Sequence, residues 1–238
     1  MKTALRLSAA TALCMSLTAC GGDVPSFPTL VPVPTNTTLA PLAPLSALPD
    51  QAFTGARRGV IAYGDSIGAG NGTAETPMMV LQRIRPAYRI VDRCVASTRL
   101  DTLAAKFDSE DLTGGDVVVI ENGVIDAWFE SPIGAFLSNI DAIVERIRIE
   151  GRIPVITGFS HQVVGNMLTK DAIARRDFYN MALKLECANS HVIFADWGSA
   201  PFGGTEELLD TVHPAKEYSN RLVERLASAI DQALVGGK

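Results

Sequence analysis

The sequence reads GVIAYGDSIGAG from Gly59 to Gly70, and this stretch decides the fold class that we predict. Its first half, GVIAY, is short, uncharged and partly β-branched, which is typical of a buried parallel strand. Glycines then flank Ser66 closely, and glycine permits both the positive φ of a sharp turn and the close approach of a ligand. A serine on such a turn is where an α/β fold exposes a nucleophile. The alternative is an ordinary strand-to-helix turn that Ser66 only caps.

A second motif, DTVHP at residues 210–214, supplies the groups that a serine nucleophile needs. Serine requires a base to remove its proton, and histidine is the usual one. The histidine in turn requires a carboxylate that fixes its tautomer and stabilises the imidazolium. Asp210 and His213 lie three residues apart, so one local turn can bring the carboxylate to the ring Nδ1. The two motifs together suggest a catalytic triad of Ser66, His213 and Asp210.

The two motifs resemble the first and last blocks of the SGNH (GDSL-type) hydrolase family. GDSI at residues 64–67, with Gly70 following, is similar to the first block, and Asp210-x-x-His213 is similar to the last. The resemblance covers residues 58 to about 235. It implies a three-layer α/β/α fold with a five-stranded parallel sheet in the flavodoxin-like order 2-1-3-4-5. It also implies ester hydrolysis by an acyl-enzyme mechanism.

Strand and helix patterns alternate along this part of the chain, which independently predicts a parallel sheet covered on both faces. The predicted strands are residues 59–63, 88–95, 116–120, 153–157 and 191–195. Ligands of such sheets bind at the carboxyl ends of the strands. Ser66, Ser97, the stretch 123–126 and His213 are all expected at that edge.

The resemblance implies three donors for the oxyanion hole, and this chain departs from the family at two of them. The Ser66 N–H is the first donor, and Ser97 is the best match to a family glycine that supplies the second. The third block normally reads Gly-x-Asn-Asp, but here Ile125 stands in the asparagine place. Isoleucine donates no hydrogen bond, and losing one such donor costs on the order of 10²–10³ in rate. We therefore expect a slow or atypical hydrolase in which Asn122 replaces the missing donor.

The N-terminus predicts a targeting segment. Residues 1–19 carry an early Lys2 and Arg6 and then a mostly apolar or small run. The end of that run, LTAC at residues 17–20, resembles a bacterial lipobox and implies cleavage before Cys20 and lipidation of its thiol. An ordinary secretory peptide cut near residue 19 is the alternative. Residues 20–50 then hold seven of the thirteen prolines and predict a semi-rigid linker before a hydrolase domain at residues 51–238.

A lipid on Cys20 would attach the protein to a membrane without spanning it. Gly21, rather than aspartate, follows Cys20. By resemblance to lipoprotein sorting in Gram-negative bacteria, this favours the outer membrane, facing the periplasm or the surface. The expected location is therefore the bacterial cell envelope.

Composition excludes several classes of partner. A formal net charge of −5 leaves no basic footprint for nucleic acid. The three histidines are well separated and lack paired ligand spacing, so we expect no metal and no other cofactor. Cys94 and Cys187 are expected at opposite edges of the sheet, too far apart for a disulfide, and should be unpaired thiols.

Two functional hypotheses follow. The first is an envelope-anchored serine esterase or deacetylase acting on an ester-bearing small molecule, glycan or lipid. The second is a non-catalytic domain of the same fold that binds a glycan or a protein partner, which Ile125 favours because it breaks the oxyanion hole. We favour the enzyme, because a pure binding domain has little reason to retain Ser66, Asp210 and His213. A peptidase with the same triad has no support beyond the shared residues.

Overall fold

The computed structural model describes residues 58–165 and 168–236. The predicted signal segment, Cys20 and the linker lie outside the described residues, as do residues 51–57 of the predicted hydrolase domain. None of the described helices is both long enough and apolar enough to cross a membrane.

The described chain contains a single sheet of five parallel strands. The strands are β1 (Arg58–Gly64), β2 (Tyr88–Asp92), β3 (Val117–Glu121), β4 (Ile153–Thr157) and β5 (Ile193–Ala195). Their order is β2-β1-β3-β4-β5, which confirms the predicted fold class. The side chains of β3 are buried from end to end, as expected of a central strand covered on both faces.

Helices cover both faces of this sheet. They are α1 (Pro77–Ile84), α2 (Leu100–Phe107), α3 (Val124–Trp128), α4 (Ile133–Ile149), α5 (Lys170–Asn189) and α6 (Lys216–Gly236). One layer pairs α1 with α6, and the other packs α2 and α5 against α4. α1 begins at Pro77 because Thr76 Oγ1 caps it by accepting a hydrogen bond from Met79 N and the proline suits the first turn.

The short helix α3 follows β3 directly and is not among the elements predicted from the sequence. Gly123 has φ of 118°, so the chain turns directly from the end of β3 into a helix. A Cβ at Gly123 would collide with the Phe136 ring, so a side chain does not fit this turn. The turn carries Ile125 and Trp128 onto the carboxyl edge of the sheet.

The two cysteines of the described chain are both free thiols, as predicted. Cys94 follows β2, whereas Cys187 is buried in α5 beside β5. These strands are the two edges of the sheet, which separates the thiols.

Candidate active site

The carboxyl ends of β1, β2 and β3 create one site. Gly64 at the end of β1 pairs with Glu121 at the end of β3, and Val95 N donates to Gly64 O at 3.0 Å. The turns that follow these strands therefore lie side by side. They carry Ser66 and Ser97 to the same edge.

The three residues predicted as a triad are connected by hydrogen bonds. His213 Nε2 lies 2.9 Å from Ser66 Oγ, and His213 Nδ1 lies 2.7 Å from Asp210 Oδ2. Asp210 Oδ1 also accepts from the backbone N–H of Val212 at 2.6 Å and of His213 at 2.8 Å. The local turn thus fixes the Asp210–His213 pair. With Nδ1 donating to Asp210, Nε2 is free to accept the Ser66 proton.

Hydrogen bonding keeps the Asp210 carboxylate charged. Partial burial opposes its ionisation, but the bonds from the His213 ring and from two backbone N–H groups outweigh this and lower the pKa of Asp210. The carboxylate is therefore ionised at neutral pH. It can stabilise an imidazolium on His213 during the reaction.

Two buried carboxylates hold the turn that carries Ser66. Asp65 Oδ1 accepts from Ile67 N at 2.9 Å, which closes an Asx-type turn. Glu121 Oε2 accepts from Asp65 N at 3.1 Å and from Gly68 N at 2.9 Å. Glu121 was missed in the sequence, although a carboxylate ending a wholly apolar strand is a signal for such a role. Together the two side chains fix the backbone on both sides of Ser66.

Burial shifts both of these carboxyl groups towards the protonated form. It raises the pKa of Asp65 to about 7, and it raises the pKa of Glu121 well above its ordinary value, with the Asp65 charge adding to the effect on Glu121. A carboxyl group with a raised folded-state pKa contributes stability that is fully present below its unfolded pKa. For Asp65 this contribution is lost as the pH rises from about 4 through about 7.

Glu121→Gln is therefore expected to change stability little at pH 4, below the unfolded pKa of glutamate, and to raise it at pH 8 by about 1 kcal/mol or more. Glutamine keeps an oxygen acceptor for Asp65 N and Gly68 N but cannot ionise. The measurement is urea unfolding of both proteins at the two pH values, with the exposed Glu224→Gln as control. A stability difference between wild type and Glu121→Gln that does not grow with pH contradicts the expectation.

Ser97 has the backbone conformation that glycine favours. Its φ of 65° lies in the left-handed region, although it is not a glycine. No hydrogen bond from the Ser97 N–H to another described residue is present. The serine at this position therefore leaves the N–H available as a donor.

Ser66, Ser97 and His213 line one cavity of about 350 Å³. Two further polar residues, Asn71 and Arg99, share its lining. Asn71 was missed in the sequence, although its place between two glycines shortly after Ser66 is a signal for a residue at the rim. Its N–H donates to Ser66 O at 3.0 Å, which anchors it beside the nucleophile.

An apolar wall forms the rest of this cavity. It consists of Ile125, Trp128, Phe129 and Val212. Trp128 and Phe129 are its aromatic members. Phe202 is not in the lining and instead stacks on His161, with ring centroids 5.1 Å apart.

The structure does not bring Asn122 to this cavity. The side chain is buried with 2% exposure, and its Nδ2 donates to Thr98 O at 3.1 Å. The prediction that Asn122 replaces the missing oxyanion donor is not supported, because its amide holds the loop after β2 instead. Ile125, which stands in the family's asparagine place, does line the cavity.

The sequence model of the GDSL-like lipase/acylhydrolase family matches residues 62–219. The chain belongs to this family. The predicted SGNH (GDSL-type) membership is thereby confirmed, and the GDSL fold explains why the matched region begins in β1 and ends in α6. Among curated proteins, no sequence matches this GDSL-family chain.

Solved structures of GDSL-type and other esterases share the fold. TesA is 19% identical, with a TM-score of 0.62 over 74% of this chain and 99% of that one. The psychrotrophic esterase EstA from Pseudoalteromonas sp. is 14% identical, with a TM-score of 0.62 over 75% of this chain and 99% of that one. The acetyl xylan esterase AlAXEase is 14% identical, with a TM-score of 0.61 over 72% of this chain and 99% of that one.

Proposed function

We propose that this GDSL-family chain is a serine ester hydrolase with Ser66 as nucleophile, His213 as general base and Asp210 as the group that orients His213. The observation that carries the proposal is the hydrogen-bonded series from Ser66 Oγ through the His213 ring to Asp210. Such a series activates a serine that is otherwise a weak nucleophile. Asp210 remains a carboxylate throughout.

The reaction proceeds in two halves. Ser66 Oγ attacks the ester carbonyl carbon while its proton passes to His213 Nε2, and the carbonyl oxygen becomes an oxyanion. When the intermediate collapses, the C–O bond to the alcohol breaks and His213 returns the proton to the departing oxygen. Water then attacks the acyl-enzyme with His213 again as base, which releases the acid and restores the Ser66 hydroxyl.

The oxyanion is stabilised by the backbone N–H groups of Ser66 and Ser97. Ile125 adds an apolar surface where the family has an amide donor, so we propose a slow or atypical hydrolase. The apolar wall of the cavity suits an acyl group. At about 350 Å³ the cavity lies near the lower end of ligand-site volumes, which favours short acyl chains such as acetate.

The test is hydrolysis of p-nitrophenyl acetate and of butyrate and octanoate analogues by the full chain in mild detergent. Ser66→Ala, which removes only the nucleophilic oxygen, is the matched control. We expect turnover by the wild type that falls with acyl length and disappears in Ser66→Ala. Equal rates for the two proteins on every ester would sink the proposal.

A non-catalytic domain that binds a glycan or a protein is the second candidate, and Ile125 at the cavity wall is the observation that favours it. An alkyl fluorophosphonate separates the two candidates, because it reacts with activated serines. Mass spectrometry should find the adduct on Ser66. An unmodified Ser66 together with absent ester turnover would favour the binding domain.

We further propose that the enzyme acts at the bacterial cell envelope, anchored through a lipid on Cys20. The support is the apolar segment before LTAC at residues 17–20 and the proline-rich spacer after it. An alkyne fatty acid fed to the expressing bacteria should label the wild type. If Cys20→Ser were labelled as strongly as the wild type, the lipid would not be attached to Cys20 and the proposed anchor would be wrong.

A further inference from the structure

The cavity of about 350 Å³ that Ser66, Ser97 and His213 line is called the catalytic cavity below. A second cavity, of about 450 Å³, adjoins it and has no role in the mechanism above. Consecutive residues border the two spaces, because Asn71 lines the catalytic cavity and Gly72 lines the second one. Gly72 packs closely against Leu209, since a Cβ at Gly72 would lie 2.8 Å from Leu209 Cδ1. Gly72 and Leu209, both in the lining of the second cavity, are therefore in contact beside Asn71.

The second cavity borders the turn that carries Asp210 and His213. Leu209, in its lining, directly precedes Asp210, and Leu209 N donates to His213 O at 2.8 Å. His213 must return its proton to the departing alcohol oxygen, so the alcohol part of the substrate has to lie towards His213. The apolar wall around Ile125 is then left for the acyl part, and the second cavity is open to the alcohol part.

The polar groups of the second cavity indicate which alcohols fit it. Lys216 lines it, and no carboxylate of the described chain lies within salt-bridge distance of Lys216. The acidic residue of the lining, Glu75, is held by Arg83 through two bonds of 3.0 Å. The bonds from Arg83 and, to a smaller extent, the charge of Lys216 lower the pKa of Glu75, so Lys216 lies near a carboxylate that Arg83 already pairs. An ammonium group with no salt bridge of its own beside a largely apolar space suits an anionic ligand.

Asn220 supplies a second polar contact in the same lining. Its Oδ1 is buried and has no hydrogen-bond partner in the described part of the chain. An unsatisfied buried acceptor costs free energy, and a hydroxyl or amide donor of a ligand would remove that cost. Val80 and Leu209 supply apolar surface to the same lining as Lys216 and Asn220.

We propose that the second cavity is the subsite for the alcohol part of the substrate, and that this alcohol carries a carboxylate or phosphate group that Lys216 binds. This inference rests on the proposed ester hydrolysis and names its substrate class. The enzyme then removes short acyl groups from anionic alcohols. Neutral esters are also hydrolysed, but they bind more weakly and have a higher KM.

The test compares three acetate esters that differ only in the para substituent of the phenol that departs. 4-Acetoxybenzoate carries a carboxylate, 4-acetoxyphenyl phosphate carries a phosphate, and 4-acetoxybenzamide is the neutral analogue. For the wild type we expect a KM at least about fivefold lower for one or both anionic esters than for the amide, a difference that shrinks in high salt. The arm with the lower KM identifies the anion.

Lys216→Ala is expected to raise the KM of the anionic esters until the preference over the amide disappears. Lys216→Glu should reverse the preference, and Lys170→Ala, at the exposed start of α5, should change nothing. Equal KM values for the three esters in the wild type, or an unchanged preference in Lys216→Ala, overturn the inference. Turnover of the neutral amide ester tests the ester hydrolase proposal separately, so the two failures are distinguishable.

Discussion

Replacing His213 with glutamine is expected to lower kcat for ester hydrolysis by about 10⁴-fold or more, the scale at which triads lose activity without their base. Glutamine can keep a hydrogen bond near Ser66 Oγ but cannot take its proton. His213 Nε2 is 2.9 Å from that oxygen, and no other histidine of the described chain contacts it. The measurement is kcat and KM on p-nitrophenyl acetate.

The rate losses caused by substitutions in the triad should also be non-additive. Because Ser66 and His213 act on one proton, Ser66→Ala combined with His213→Gln should be no slower than Ser66→Ala alone. Asp210→Asn should lose roughly 10⁴-fold, since asparagine can no longer hold the ring in the tautomer with Nδ1–H. The control is His191→Asn, at an exposed position where φ is 52° and asparagine is tolerated. Retention of a tenth of the wild-type rate by His213→Gln would exclude His213 as the base.

Ile125→Asn is expected to raise kcat by roughly 10- to 100-fold, with little change in KM. Ile125 lines the cavity that contains Ser66 and Ser97, so an amide at this position faces the space where the oxyanion forms. The gain should be smaller than the 10²–10³ lost when an evolved donor is removed, because the surrounding side chains have not been shaped around asparagine. Burying an amide in this apolar wall should also lower stability by about 1–3 kcal/mol.

Ile125→Leu is the matched control, since leucine has nearly the shape of asparagine and no donor. It should leave kcat close to that of the wild type. A gain for leucine equal to that for asparagine would show that cavity shape, and not hydrogen bonding, limits the rate. A loss with asparagine at full folding would mean that Ile125 is part of the substrate contact and that the atypical oxyanion hole needs another explanation.

The parallel sheet could be predicted because the apolar pattern of each strand is visible in its own short stretch of sequence. The apolar runs at 59–63 and 116–120 are buried central strands, and the helices between them begin at recognisable caps such as Thr76. Helix α3 could not be predicted, since five residues carry little periodic signal. Its existence depends on the positive φ at Gly123 and on the packing of Phe136 against that glycine.

Part of the site likewise follows from local sequence, and part depends on the tertiary structure. The Asp210–His213 pair is three residues apart and follows from a local turn, so its spacing alone suggested it. Ser66 lies 147 residues from His213, and only the winding of the sheet sets the 2.9 Å between them. Glu121 supports the Ser66 turn from a different strand, 53 residues from Gly68. Its place at the end of an apolar strand signals a special role, but only the fold shows that it reaches the Ser66 turn.

The sequence by itself determined the fold class, the family and which three residues, Ser66, His213 and Asp210, form the hydrogen-bonded series, because these rest on short motifs and on periodic burial. Tertiary structure alone decided which donors face the reacting centre. It set Ser97 at φ of 65° in the catalytic cavity, turned Asn122 away to Thr98, and opened a second cavity beside Lys216. These positions depend on contacts between loops that follow different strands. The sequence of one loop does not determine how it packs against another that is distant in the chain.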